Sequence, residues 1–225
     1  MIPRSLKEPF VRKYLEPGES LGEILFGLIM VLTFTLGAGL TADEGAEGAR
    51  QLLIAALGCN LAWGIIDGVM YVMNSMFDRS RKARLLRELQ RSSDDSAAFA
   101  FLGRELDPKL EPISTAEERR HIYEKILTLV SRAQPGRTRV ERSDLGGALA
   151  SCLLVFATSL PAALPFLFIR EPRLALRVSN ALLIGMLFLV GYSWARHTNS
   201  NRLGMGLALM LVGVVLVAVA IALGG

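Results

Sequence analysis

The chain has 225 residues, 52% of them hydrophobic, with 25 basic residues against 21 acidic ones and a mean hydropathy of +0.40. These values lie above those of an ordinary soluble domain. The apolar residues gather into runs about as long as a bilayer core requires, roughly 20 residues at 1.5 Å each, and one long charged stretch separates them, which excludes a single soluble core.

Taken in chain order, residues 1–20 form a charged, proline-punctuated N-terminal segment with no apolar signal region, so the first span is expected to serve as its own targeting signal. That span is predicted from Leu21 to Leu40, with Glu23 its only charge. The second runs from Leu52 to Phe77 and carries Asn60, Asp67 and Asn74. The third, Leu145 to Ile169, is uncharged but contains Pro161 and Pro165. The fourth runs from Leu174 to Ala195, with Arg177 near its start, and the fifth from Leu203 to Leu223. Cys59 and Cys152 both fall inside apolar runs, where a thiol is read as a small packing residue. The fold class is therefore all-α integral membrane: five transmembrane helices, with a helical cytosolic insert between the second and third. The domains follow as 1–20, 21–77, 78–143 and 144–225.

Orientation comes from the loop charges. Arg4, Lys7, Arg12 and Lys13 precede the first span, and the insert from Arg79 to Arg142 holds fifteen basic residues. The loop from Thr41 to Gln51 is acidic, with Asp43, Glu44 and Glu47 against Arg50. The N-terminus and the insert are thus expected in the cytosol, and the C-terminus outside.

The insert reads as three helices. Arg79 to Arg91 continues the second span without a breaker. Asp94 to Arg104 forms a second helix, after which Pro108 and Pro112 break the chain. Thr115 with Glu118 makes a capping box that opens a third helix reaching about Arg132, with Ile122, Ile126 and Leu129 as its apolar stripe.

This layout resembles the vacuolar iron transporter family, which exports iron(II) and manganese(II) from the cytosol. The likeness is carried by Leu160-Pro161-Ala162-Ala163-Leu164-Pro165-Phe166, Val178-Ser179, Gly191-Tyr192, Arg202, Met210 and Gly213, and at the front by Glu23-Ile24-Leu25-Phe26-Gly27 and Gly37-Ala38-Gly39-Leu40. The departures are specific. Met30-Val31 stands where the family has an Asp-Gly pair, Asn60 where it has a glutamate, and Gly68 near its pathway methionine. An Asp-Gly pair instead occurs at Asp67-Gly68.

Asp67 is the most informative residue. A carboxylate well inside a span costs a few kcal/mol on insertion scales, so it lines a polar path or is held within a helix interface. The first role makes it a divalent-cation or proton site. Asn60, Asp67 and Asn74, spaced by seven, share one helix face. The candidate transport path comprises Asp67, Asn60, Met30, Glu23 and Met70, oxygen donors with thioethers that suit iron(II) or manganese(II). In the insert, Glu117, His121 and Glu124 share a face of the third helix, with Glu88 facing them from the first. The resemblance makes these four the counterpart of a metal-binding insert, against the plainer reading of a solvated, salt-bridged face; with Asp67, read from its depth in the span, they are the candidate metal ligands.

Basic residues at the membrane surface are accounted for by anionic headgroups at roughly 1 kcal/mol each, and no basic-aromatic interleaving points to nucleic acid. No phosphate loop, nucleophile elbow or His–Cys pair points to an enzyme. No resident cofactor is expected. The expected function is export of iron(II) or manganese(II), coupled to protons, by a homodimer in a prokaryotic plasma membrane. The resemblance places the path between two copies of the first span, whose Gly27, Gly37, Ala38 and Gly39 allow close approach. The rival is a binding or scaffold protein that keeps the fold without moving metal.

Overall fold

The computed structural model describes residues 9–37, 45–91, 94–134, 136 and 139–222. Arg4, Lys7, Ala38-Gly39-Leu40, Asp43 and Glu44 lie outside the described residues. Every regular element among the described residues is helical: α1 Phe10–Tyr14, α2 Pro17–Gly37, α3 Gly45–Arg91, α4 Asp95–Leu110, α5 Ala116–Val130, α6 Arg142–Ala157, α7 Ser159–Phe168, α8 Pro172–Trp194 and α9 Arg202–Ala222. Among the described residues, five stretches are long and apolar enough to cross a membrane: Pro17–Thr35, Arg50–Arg91, Arg142–Phe168, Pro172–Trp194 and Arg202–Val219. The five expected spans are all present. The chain is a multi-pass integral membrane protein.

The ends of these helices follow local chemistry. Glu171 accepts from the backbone N–H groups of Arg173 and Leu174, and Pro172 occupies the first turn of α8, where its missing N–H is not needed. Asn201 caps α9 in the same way, through Leu203 and Gly204. No breaker interrupts α3, so its 47 residues pass from apolar to arginine-rich sequence as one helix.

The third span is not one helix. It breaks at Thr158 into α6 and α7. Pro161 cannot donate to the carbonyl of Ala157, and its ring crowds that carbonyl, so the ladder parts there. At the break the Thr158 and Ser159 hydroxyls donate to the Val155 and Phe156 carbonyls at 2.6 and 2.5 Å, so neither hydroxyl is left unpaired in the span.

The chain forms two compact units. The first, residues Met1–Val72 with Glu141–Gly225, has a core of Leu28, Val31 and Leu32 from α2, Ala162 from α7, and Leu183, Leu187 and Val190 from α8. The second, Met73–Val140, holds the end of α3 with α4 and α5. There Gln90 donates to the Val130 and Ala133 carbonyls at 2.8 and 2.7 Å, tying α3 to the end of α5. Asp107 accepts from the Tyr123 hydroxyl at 2.5 Å and pairs with Arg119 at 3.0 Å, tying α4 to α5.

The insert corrects one expectation. α4 does not stop at Arg104 but continues through Pro108 to Leu110. Anchoring of Asp107 by Tyr123 and Arg119 holds that last turn helical against the proline's preference. Pro112 then sits in a 3-10 turn, Glu111–Ile113. The capping box forms as expected, with Thr115 Oγ1 accepting from the Glu118 N–H and Glu118 accepting from the Thr115 N–H.

Candidate functional site

Glycine brings α3 against α6. A Cβ on Gly64 would lie 2.8 Å from the Cys152 carbonyl oxygen, and one on Gly68 would lie 2.9 Å from that of Ala148. The two backbones therefore meet along this face, as small residues permit in a membrane. Asp67 lies between these two glycines and is carried to the same interface. It is half-buried, and its Oδ2 is fully enclosed with no hydrogen-bond partner among the described residues.

Glu23, on α2, faces Asp67 closely enough for the two carboxylates to interact electrostatically, and the Cys152 thiol lies within the same reach of Asp67. The Ser151 hydroxyl donates to Glu23 Oε1 at 2.7 Å. Glu19, one turn earlier on α2, adds further negative charge toward Glu23. Three spans thus contribute to one acidic, hydroxyl-bearing cluster inside otherwise apolar helices. A cation or a proton is what such a cluster can hold, since two unneutralised carboxylates at low dielectric repel strongly.

Asn60 sits on the same face of α3, about two turns before Asp67. It is only 1% exposed. Its Nδ2 donates to the Gly27 carbonyl at 3.3 Å, the Val155 carbonyl at 3.2 Å and Thr158 Oγ1 at 3.3 Å, while its Oδ1 is enclosed without a partner among the described residues. Asn60 therefore joins α2, α3 and the broken third span. Gly27 is used inside the chain at this point: a Cβ there would strike Thr158 Oγ1. Its close approach is to the third span of its own chain.

The remaining path candidates are placed differently. Met30 is half-buried on α2, seven residues beyond Glu23 and so on nearly the same face. Met70 is 52% exposed, and its neighbours Val69 and Ile66 are exposed as well. Asn74, expected on one face with Asn60 and Asp67, is exposed. The structure brings Asp67 together with Glu23 and leaves Met70 apart from them.

In the second unit, Glu117, His121 and Glu124 are all exposed on α5. His121 Nδ1 lies 3.7 Å from Glu124, which also pairs with Arg120 at 3.5 Å, and Glu88 pairs with Arg84 at 3.8 Å. Among the described residues, no three His, Cys, Asp or Glu side chains converge as a set that could hold a metal ion.

Sequence reasoning passed over Thr158 and found no partner for Ser151. Both are polar residues in an uncharged span, and that rarity was the available signal: a hydroxyl inside a membrane helix usually satisfies a carbonyl or a polar neighbour.

Residues 75–225 match a profile of the VIT family, covering the end of α3, the insert and the last three spans. Glu23, Asn60 and Asp67 precede the matched region. No curated protein matches the chain.

Proposed function

This chain belongs to the VIT family, whose members are membrane transporters of metal ions, and on that premise we propose that it moves iron(II) or manganese(II) out of the cytosol, in exchange for protons, past the Glu23–Asp67 pair. One observation carries the reading: a carboxylate oxygen of Asp67 is enclosed in a membrane span without a partner among the described residues, within electrostatic reach of a second carboxylate. A divalent cation neutralises both acids at once. When it leaves, protons take its place, because two bare carboxylates in that setting are too costly. Metal release and proton uptake are thereby linked.

Oxygen donors suit both ions, and the Met30 thioether lies further along α2 for a softer contact. Glu88, Glu117, His121 and Glu124 enter this reading as exposed groups that raise the local cation concentration, not as a closed ligand cage. The N-terminus and insert lie on the cytosolic side and the C-terminus outside, by the loop charges. The working form is a homodimer, which gives five thin spans a second wall for the path. The host membrane is a prokaryotic plasma membrane.

Manganese(II) entry into proteoliposomes, followed with an enclosed metal-sensitive dye, tests this proposal. Flux above empty vesicles supports it, and none from folded protein refutes it. The second reading, a binding or scaffold protein that retains the fold, is favoured by the lack of any three-ligand cluster among the described residues.

A further inference from the structure

The end of α3 carries six basic and two acidic residues between Met73 and Arg91. Between this segment and α4 lies a cleft of about 460 Å³. Its donors are Ser80, Arg81 and Arg84, and its apolar wall is Phe77 with Phe101 of α4. The apolar run of α3 ends at Phe77. Ser80, Arg81 and Arg84 therefore fall within two turns, roughly 10 Å, of the end of the hydrocarbon-crossing stretch, the depth of headgroup phosphates. From this arrangement we propose that the cleft binds the headgroup of an anionic phospholipid, with its phosphate on Arg81, Arg84 and Ser80 and the start of its acyl chains against Phe77 and Phe101.

Two acids share the cleft. Glu105 pairs with Arg81 at 3.3 Å and Glu88 with Arg84 at 3.8 Å. The arginine side chains remain 55% and 76% exposed, so these are long surface pairs of little energy. They hold the guanidinium groups in place without saturating them, and a guanidinium's planar fork receives a phosphate through two parallel hydrogen bonds. Phe77 is 69% exposed, and a large aromatic at that depth is covered by lipid more favourably than by water. Lipid binding in the cleft needs only that α3 crosses the bilayer, and is independent of any metal chemistry.

The test uses the full chain, purified in detergent and offered phosphatidylglycerol or phosphatidylcholine with identical acyl chains, with bound lipid read by native mass spectrometry. Wild type should retain phosphatidylglycerol about tenfold over phosphatidylcholine, a basic cluster's preference for anionic lipid. Arg81→Gln with Arg84→Gln should remove that preference, while Arg87→Gln with Arg91→Gln, equal in charge but outside the cleft, should keep it. If the first pair does not fold, Ser80→Glu places a repelling charge at the same point and should act alike. Equal loss from both arginine pairs would mean diffuse charge and overturn the cleft. So would undiminished preference in the cleft variants, or displacement of the lipid by millimolar inorganic phosphate.

Discussion

Asn60 donates through Nδ2 to the Val155 carbonyl at 3.2 Å, fastening the second span to the third one turn before that span breaks at Thr158. The same amide reaches Gly27 of the first span. Replacing it removes a buried donor shared by three helices. Asn60→Leu is expected to cost about 1–3 kcal/mol, the usual range for a buried hydrogen bond lost without a substitute. Thermal melting in detergent measures this, and a melting point unchanged from wild type would show that the amide is not a fastening.

Gly64 makes a second prediction. Valine there would push into the Cys152 backbone, which cannot swing aside as a side chain can. Gly64→Val should destabilise by about 1–3 kcal/mol, as overpacking generally does. Gly58, on the same helix, faces open space. Gly58→Ala should be neutral or slightly stabilising, since alanine is the better helix former. Equal melting of the two variants would contradict the α3–α6 contact.

Much of this architecture was legible beforehand. Span length and lack of charge reveal helices without reference to any neighbour, so all five spans could be read from composition alone. The Thr115–Glu118 box is a local pattern for the same reason. What could not be read is which neighbour a polar residue meets. Asn60 looks like a pathway oxygen in sequence, yet its amide nitrogen fastens helices. Ser151 has no partner near it in sequence, and only the fold brings Glu23, 128 residues away, beside it. Gly27 fits a helix facing a second copy equally well, and only the fold assigns it to Thr158. Pro161 and Pro165 announce a disturbed span, but the break falls at Thr158, beside the Ala157 carbonyl that the first proline crowds.

The capping box of α5 predicts a pH effect in the insert. Backbone and hydroxyl hydrogen bonds from Thr115 hold the Glu118 carboxyl below its ordinary value of 4.5. A carboxylate with a depressed folded value contributes stability that is present above the ordinary value and is lost as pH falls through the folded one. Helicity of α5 should therefore weaken on acidification below pH 4.5. Thr115→Ala, which removes the cap at a cost of about 1 kcal/mol, should flatten that dependence. Hydrogen exchange of the first turn of α5, followed against pH in both proteins, reads this directly.

Replacing Asp67 should affect function more than folding. Its enclosed Oδ2 has no partner to lose among the described residues, and a neutral amide removes the repulsion from Glu23. Asp67→Asn should melt at or above the wild-type temperature. A melting point lowered by several degrees would show instead that the carboxylate is a structural contact.

The most direct test of the Glu23–Asp67 pair is manganese(II) flux into proteoliposomes, with and without a proton gradient, comparing wild type with Asp67→Asn. Proton-linked transport through this pair predicts that wild-type flux rises with the gradient and that the variant loses at least about tenfold, one carboxylate's worth of charge compensation at low dielectric. A folded Asp67→Asn protein that transports as fast as wild type, with the same response to the gradient, would contradict it.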